Sequence, residues 1–325
     1  SGNGYRGNHL STDTSKKYSL THAPNVENVI DIAAGYDYTC ILTSDNELKC
    51  AGSRTSGVFG DGNQYGYTTT PVGVLDNVDR VESFYRSTYA KLLNGTWVCT
   101  GDNQFGHLGI GGVYPTQQWT AMPHLDDAVD VAFGRYHSCA VLSDGAVNCW
   151  GYNTIGQLGD GNLTNRYTSD AVVGLPGPAI AVFVAKSTTC ARMVNDDLYC
   201  WGSNNYGELG VDYHSVYSSS TPLLADNIGK ATNVYLGDNR GVAYKPDGDV
   251  LVFGRYATAG FKYFPENDPI CPTTSPTTAP TSLPTTSPVP IAPTEPTMSP
   301  APTTSEPTAA PTVAPKCQSM SAGFF

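Results

Sequence analysis

The arrangement of apolar and polar residues along the chain predicts short strands joined by tight turns. Residues 137–151 are representative: they read HSCAVLSDGAVNCWG, in which two largely apolar runs flank Ser-Asp-Gly, a sequence typical of a hairpin loop. No stretch shows a sustained apolar repeat of 3.6 residues, so we expect almost no helix. The longest largely apolar run, residues 171–185, contains two prolines and is too short to cross a bilayer, so we expect no membrane span.

The strand–turn–strand unit recurs with a period of about 50 residues. The sequence around the end of the second strand reads CAGSRTSGVFGDGN from residue 50, CTGDNQFGHLGIGG from 99, CWGYNTIGQLGDGN from 149 and CWGSNNYGELGVD from 200. A fifth copy begins at residue 237 and fades after 254, and residues 1–24 resemble the second half of a copy. Because a unit this short cannot bury its own apolar faces, neighbours must stack, and such a period with strands only is the signature of a β-propeller.

The CWGxNxxGxLG frame and the SDG turn resemble the regulator of chromosome condensation repeat family, and the cysteine-bearing form resembles its secreted branch. The resemblance spans about residues 1–266 and implies an all-β fold, a β-propeller of about five to seven blades. We assign a half-blade to residues 1–27 and repeats to about 28–76, 77–126, 127–176, 177–226 and 227–266. That family usually has seven blades, so either residues 1–24 complete the last blade of a smaller ring or the chain lacks a segment.

The paired cysteines indicate disulfides inside single blades. If Ser143–Gly145 is a three-residue hairpin loop, counting outward places Cys139 directly opposite Cys149. Such a non-hydrogen-bonded pair has Cα atoms about 4.5 Å apart, which is at the short end of the disulfide range. The same spacing recurs twice, so we predict the disulfides Cys40–Cys50, Cys139–Cys149 and Cys190–Cys200. Buried free thiols and a metal site are the alternatives, although zinc ligands are usually spaced more closely.

Three cysteines have no partner of this kind: Cys99, Cys271 and Cys317. Cys99 has Tyr89 at the position where its partner is expected. A bond between Cys271 and Cys317, a bond from Cys99 to one of them, or a bond to another chain all remain open. Three disulfides imply an oxidising compartment, so we expect the protein to be secreted or at the cell surface.

Glycosylation signals agree with an extracellular location. Asn94 and Asn162 begin N-glycosylation sequons, and Asn94 is expected at an exposed hairpin tip. Residues 267–316 are rich in Pro, Thr and Ser, which is typical of a disordered or polyproline II stalk carrying O-glycans; an unmodified linker is the alternative. The candidate O-glycosylation sites are Thr273, Thr274, Thr277, Thr278, Thr285 and Thr286. Residues 317–325 are not assigned.

Charge and motif content exclude several functions. The chain has 18 Lys and Arg against 29 Asp and Glu, a net charge of −11, with no basic cluster, so we expect no nucleic-acid partner. We find no hydrolase, metalloprotease or phosphate-binding motif and expect no cofactor, metal site or catalytic residue. His137 is expected to pack or hydrogen-bond inside the propeller, and His107 to bond to loop backbone. Asp61 and Asp160 are interpreted as turn residues.

The favoured function is therefore a non-enzymatic extracellular binding module, with an unknown protein or glycan ligand on a propeller face. The alternative is a structural component of an extracellular coat, wall or filament, assembled through self-association or intermolecular disulfides. An unrecognised enzyme and a guanine-nucleotide exchange factor, the activity of the family's founding member, are the least favoured hypotheses.

Overall fold

The computed structural model describes residues 26–255, and these residues form an all-β propeller of 19 strands. The first sheet contains β1 (Val29–Ala34), β2 (Tyr38–Thr43), β3 (Leu48–Ser53) and β4 (Tyr67–Leu75). The second contains β5 (Val78–Phe84), β6 (Ser87–Leu92), β7 (Trp97–Gly101) and β8 (Thr116–Ala121). The third contains β9 (Ala128–Phe133), β10 (His137–Leu142), β11 (Val147–Gly151) and β12 (Arg166–Ala171).

The fourth sheet contains β13 (Ala179–Val184), β14 (Thr188–Met193), β15 (Leu198–Ser203) and β16 (Ser218–Leu224). The fifth contains β17 (Asn233–Leu236), β18 (Arg240–Tyr244) and β19 (Val250–Gly254). Strands pair antiparallel in chain order within every sheet. The only helices in residues 26–255 are two single 3-10 turns, Thr55–Gly57 and Pro123–Leu125, which confirms the expected fold class. Several predicted features lie outside the described residues. They are the half-blade, the Pro/Thr-rich segment with its candidate O-glycosylation sites, residues 317–325, Cys271 and Cys317.

The hairpin register counted from the sequence is the register of the structure. Gly145 adopts φ +82°, its N–H donates to the Leu142 carbonyl at 2.9 Å, and Cys139 lies opposite Cys149. In the first and fourth sheets the corresponding left-handed position is taken by Asn46 and Asp196, residue types that tolerate it. Local turn chemistry therefore places each pair of cysteine positions face to face.

Disulfides join three of these face-to-face positions, and the second and fifth sheets do without them. Cys40–Cys50, Cys139–Cys149 and Cys190–Cys200 are bonded, each with Cα atoms 4.1 Å apart. Tyr89 lies opposite Cys99, which is buried and the only free cysteine among residues 26–255. In the fifth sheet Val242 lies opposite Val252. The hairpin geometry is therefore independent of the covalent bond.

The hydrophobic core lies between successive sheets rather than within any one of them. Four clusters of buried residues each combine side chains from two neighbouring sheets. Trp150 and Trp201 are fully buried at two of these junctions. Each indole N–H donates at 2.9 Å to a carbonyl of the preceding repeat, that of His107 for Trp150 and that of Gln157 for Trp201.

The Gly-x-Leu-Gly loops are adapted to these indoles. A Cβ on Gly109 or Gly159 would lie 2.7 Å from the indole nitrogen of the next sheet, and both glycines have φ near +70°. The same loop carbonyls accept a second hydrogen bond from a buried hydroxyl, Ser138 at 3.0 Å and Thr189 at 2.8 Å. Each bond of this kind contributes about 1 kcal/mol, so the loops fix the stacking of one sheet on the next.

In the second repeat, a tryptophan at a different sequence position packs against the loop glycine of the preceding repeat. It has Thr100 where later repeats have tryptophan, and the Thr100 hydroxyl donates to the Gly57 carbonyl at 2.8 Å. The ring of Trp119 lies against Gly60 instead, where an added Cβ would be 2.5 Å from the indole nitrogen. Trp119 thus packs on a loop glycine as Trp150 and Trp201 do, from a different position in its repeat, and its indole N–H donates to the Val74 carbonyl at 3.1 Å.

One side of the first sheet lacks the cover that the other sheets have. Ile32 lies on the first strand of its sheet and is 63% exposed, whereas the residues at the same position of the first strands of the other sheets are at most 7% exposed. Those residues are Val81, Val131, Val182 and Val234. The valines belong to cores shared with the preceding sheet. Within the described residues, no preceding sheet covers Ile32.

Candidate functional site

The turns that join the first and second strands of the first three sheets lie side by side. Tyr36, Tyr85 and Arg135 occupy the same position of these turns when the repeats are aligned on their cysteine positions. The Tyr36 backbone N–H donates to the Tyr85 carbonyl at 2.6 Å, which links the first two turns directly. The next position holds Arg86 in the second turn and Tyr136 in the third. One end of three successive sheets thus presents aromatic and cationic side chains together.

These side chains form a continuous series in which guanidinium groups alternate with rings. We call this series the arginine–aromatic row: Tyr36, Arg86, Tyr85, Arg135, Tyr136, Phe105 and Tyr152. Arg86 Cζ lies 5.4 Å from the ring centroid of Tyr36 and 5.5 Å from that of Tyr85. Arg135 Cζ lies 4.0 Å from the Tyr85 centroid and 5.1 Å from that of Tyr136. These separations are within the range of cation–π attraction.

Two longer loops extend the row over the third sheet. Phe105 lies in the loop after β7, and Tyr152 follows β11 directly. The Phe105 ring meets Tyr136 edge-on at 4.7 Å between centroids and Tyr152 edge-on at 5.2 Å. Edge-to-face contacts of this kind are favourable and hold large side chains in fixed positions. The row is therefore a pre-arranged surface rather than a set of separate exposed residues.

The two arginines of the row differ from most other arginines of the described chain. Ion pairs with Asp or Glu are made by Arg54, Arg80, Arg166 and Arg192. Within residues 26–255 Arg86 and Arg135 pair with no carboxylate and stack only on rings, and the Nε atom of each is buried with no hydrogen-bond partner. Both are half-buried. The row therefore carries two positive charges that form no ion pair with a described carboxylate.

The backbone at the centre of the row is strained. Tyr85 adopts φ +55°, a left-handed conformation that a bulky residue rarely takes and that costs on the order of 1 kcal/mol. Its carbonyl accepts the hydrogen bond from Tyr36, and its ring lies against Arg135. Strain of this type persists where surrounding contacts impose it, and such positions cluster at binding sites.

A layer of buried polar side chains lies just inside the row. His137 Nε2 lies 2.6 Å from Thr189 Oγ1, and Thr189 donates its own proton to the Gln157 carbonyl. His137 therefore donates through Nε2, and its Nδ1 is buried without a hydrogen-bond partner among the described residues. Burial lowers the pKa of His137 to about 3, with a smaller contribution from His107. The ring is neutral at physiological pH and serves packing, as the sequence indicated.

His107 has a different partner from the one expected. Its Nε2 lies 2.9 Å from Ser87 Oγ, not from the backbone of its own loop, whereas Gln157 and Glu208 at the same position do bond to loop N–H groups. Ser87 donates to the Asp102 carbonyl at 2.9 Å, so it accepts the histidine proton. Burial lowers the pKa of His107 to about 4.

The Ser87–His107 pair is not arranged for nucleophilic catalysis. Ser87 is 1% exposed and His107 is 2% exposed, so no substrate reaches the hydroxyl. The serine proton points to a carbonyl rather than to the imidazole, whereas an activated nucleophile donates to its base. Within residues 26–255 no group of three His, Cys, Asp or Glu side chains is placed to hold a metal ion, and none of the helices could span a membrane.

The two predicted N-glycosylation sites are at opposite ends of the sheets. Asn94 is exposed at the tip of the β6–β7 hairpin, and its side chain accepts the Thr96 N–H at 3.0 Å. Asn162 is half-buried in the loop between β11 and β12, which is at the end that carries the row. A glycan on Asn94 would therefore leave the row uncovered.

The two Asp-Gly turns use their carboxylates internally. Asp61 pairs with Arg54 at 2.9 Å, and Asp160 pairs with Arg166 at 3.1 Å. Each carboxylate also accepts a backbone N–H two residues on, from Asn63 in the first case. These contacts agree with the interpretation as turn residues, which hydrogen-bond their own backbone in this way.

Parts of the repeat match a known protein family. The family described as "Regulator of chromosome condensation (RCC1) repeat" matches residues 29–57, 128–157 and 186–208. These three segments of the chain are similar to RCC1 repeats. The matched segments lie in the first, third and fourth sheets, the sheets with a cross-strand disulfide. The unmatched second and fifth sheets are those in which tyrosine or valine replaces a cysteine.

Two human proteins match about three quarters of the chain in sequence. The chain is 28% identical to human "Probable E3 ubiquitin-protein ligase HERC6" over 258 residues, 75% of this chain and 25% of the relative. It is 27% identical over 244 residues, 73% of this chain, to human "E3 ubiquitin-protein ligase HERC2", of which the match covers 5%. The chain thus spans a quarter or less of these relatives.

Two solved structures align over 70% of the chain. Human WBSCR16 superposes with a TM-score of 0.59 at 21% identity over 62% of its own chain. Yeast RCC1 (Prp20), solved with Kap60 bound, superposes with a TM-score of 0.58 at 18% identity over 56% of its chain. At these identities the likeness establishes the propeller fold alone.

Sequence reasoning did not find the arginine–aromatic row. A propeller face was expected to bind the ligand, but no turn residue was named. The available signal was the sequence of the turns on alignment, GYDY, FYRS and GRYH, in which three successive repeats combine tyrosine with arginine or aspartate. The stacking of these residues depends on contacts between repeats, which alignment alone does not show.

Proposed function

We propose that the protein is an extracellular binding module that contacts a partner protein through the arginine–aromatic row. RCC1-like propellers commonly serve as protein-interaction modules, and rigid repeat scaffolds present extended binding surfaces. The observation that carries the proposal is the row itself, since Tyr and Arg are the residue types that dominate binding hot spots. No catalytic arrangement among the described residues competes with this assignment.

The extracellular location rests on the three disulfides. Cross-strand bonds of this kind persist in oxidising compartments and are rare in the cytosol. Intact mass spectrometry of the protein from its natural source, with and without reductant, should show a gain of at least six protons on reduction. Nine free thiols before reduction would contradict the location. Removal of glycans before the measurement would test Asn94, Asn162 and the Pro/Thr-rich segment together.

The binding face is tested by site-specific photo-crosslinking. A photoreactive amino acid replaces Tyr136 in one variant, and it replaces Leu93, 57% exposed at the hairpin tip of the opposite end, in the control. Each full-length variant is irradiated with secreted and surface proteins of its source. We expect discrete adducts from position 136 and not from position 93. Identical adducts from both positions, or none from position 136, would contradict the proposal.

Self-assembly into a coat or filament is a second candidate, favoured by the uncovered side of the first sheet. Ile30 and Ile32 are 57% and 63% exposed there. Cys99 does not support the disulfide version of this idea because its side chain is fully buried. Sedimentation velocity of the wild type and of Ile32→Lys tests it: a concentration-dependent oligomer that the substitution dissolves would support assembly, and a monomer throughout would exclude it.

A further inference from the structure

The unneutralised charge of the row indicates what chemistry its partner presents. We infer that the row binds an acidic protein segment whose carboxylates are held by Arg86 and Arg135. This inference rests on the proposed function and names its partner class. Most other arginines of the described chain have a carboxylate partner, while these two half-buried arginines have none.

The guanidinium groups are prepared for this role by the rings beside them. Arg135 lies 4.0 Å from the Tyr85 centroid and Arg86 lies 5.5 Å from it, so one tyrosine holds both cations close together. A guanidinium that lies over a ring can still donate hydrogen bonds in its own plane, and although the Nε atom of each arginine is buried, the two terminal Nη groups together can bind a carboxylate bidentately. Because rings limit the rotamers, less side-chain entropy is lost on binding than for a free arginine.

A protein segment fits the row better than an acidic glycan does. Sugars bind aromatic residues mainly by stacking on open ring faces, but the rings of the row contact guanidiniums or each other. What the row offers is cationic edges beside fixed aromatic surface, which suits Asp or Glu next to an apolar side chain. The overall charge of −11 opposes an acidic partner at long range, but this repulsion is screened beyond about 8 Å at physiological ionic strength.

Peptide arrays provide the test. Full-length protein is applied to ten-residue peptides rich in Asp, Glu, Tyr and Leu, and to a matched array with Asn and Gln in place of the acids. The strongest acidic peptide is then titrated against wild type, Arg86→Gln, Arg135→Gln and the control Arg240→Gln, which removes the same charge from an exposed arginine in the fifth sheet. We expect preference for the acidic array, a loss of at least tenfold for each row variant, and little change for the control.

Two further measurements of peptide binding distinguish a contribution of the Arg135 charge to binding from a contribution of Arg135 to folding. Arg135→Lys keeps the charge but loses the planar fork, so it should weaken binding less than Arg135→Gln while melting at the same temperature. Raising the salt from 50 to 300 mM should weaken binding of the wild type and change that of Arg135→Gln less. If the row variants bind as tightly as Arg240→Gln, or the amide array binds equally well, the inference is wrong.

The remaining outcomes distinguish this inference from the proposed function. Binding of polygalacturonate oligomers that depends on Arg86 and Arg135, with no peptide binding, would assign the row to acidic glycans and overturn the inference. Photo-crosslinked adducts from position 136 that persist in Arg86→Gln and Arg135→Gln would keep the binding face and overturn the carboxylate contacts. Absence of both adducts and peptide binding would overturn the proposed function as well.

Discussion

Replacement of His137 by glutamine should remove a large part of the acid sensitivity of folding. His137 is fully buried and burial lowers its pKa to about 3, whereas in the unfolded chain a histidine has a pKa of about 6.5. Between these values the unfolded chain binds a proton that the folded chain does not. The contribution of His137 to stability is therefore complete above pH 6.5 and is lost as the pH falls.

The magnitude at pH 5 depends almost entirely on the unfolded chain. Because the folded histidine is still neutral there, linkage gives a loss of about 2 kcal/mol at pH 5 relative to pH 8. His107, whose pKa is lowered to about 4, gives a similar loss. Glu82 has the opposite effect on stability, because burial raises its pKa to about 7 and the folded protein therefore gains stability as the pH falls. The pH dependence of wild-type stability alone therefore does not report on His137.

The assay is urea unfolding of the wild type and His137→Gln at pH 8 and pH 5. Glutamine can still donate to Thr189, so the variant should fold, at a cost of about 1 kcal/mol at pH 8. Its stability relative to the wild type should then improve by about 2 kcal/mol at pH 5, and adding His107→Gln should bring the improvement to about 4 kcal/mol. If the difference in stability between His137→Gln and the wild type changes by less than about 0.5 kcal/mol between the two pH values, His137 is not held neutral in the folded protein.

Three further predictions test packing, disulfides and modification. Val182→Ala should lower the free energy of unfolding in urea by about 2 kcal/mol, while Ile32→Ala at the same repeat position should lower it by less than about 0.5 kcal/mol. Equal losses would show that Ile32 is covered in solution. The fifth repeat has valines at the two cysteine positions, so Cys139 and Cys149 can be replaced together by valine. This double substitution should lower the free energy of unfolding by about 2–3 kcal/mol and leave the strand signal in circular dichroism unchanged. Complete unfolding would show that the hairpin depends on the disulfide. Asn94→Gln should lower the mass of the secreted protein by one glycan without changing its melting temperature, and an unchanged mass would exclude use of this sequon.

Much of the fold could be predicted because the decisive interactions are local. The Ser143–Gly145 loop sets the register of its own hairpin, so the position of Cys139 opposite Cys149 follows from counting residues. Repetition of the unit then indicates that neighbouring sheets stack. Trp119 escaped this reasoning because it reaches Gly60 from a different strand position than Trp150 and Trp201 use.

The candidate site could not be predicted in the same way because its contacts join different repeats. His107 was expected to bond to its own loop, as Gln157 does, but its ring reaches Ser87 at the start of another strand. Likewise the contact of Arg135 with Tyr85 joins residues 50 positions apart, in turns of two different repeats. Only the stacking angle of neighbouring sheets decides whether such side chains meet.

The composition of the row is not explained by what the fold needs. In the fourth and fifth sheets the same turn positions hold Lys186-Ser187 and Asp238-Asn239. The fourth sheet nevertheless packs on the third through the Thr189 hydroxyl and Trp201, and the fifth packs on the fourth through apolar side chains. Stacking is supplied by residues such as Thr189 and Trp201, which lie below the turns. Stacking of the sheets therefore does not require tyrosine or arginine at these turn positions, and the left-handed conformation of Tyr85 has a cost that the core does not need. Contact with a partner would explain the residue types in these turns, because binding would offset the cost of the strained Tyr85 backbone and of the arginines that lack a carboxylate partner.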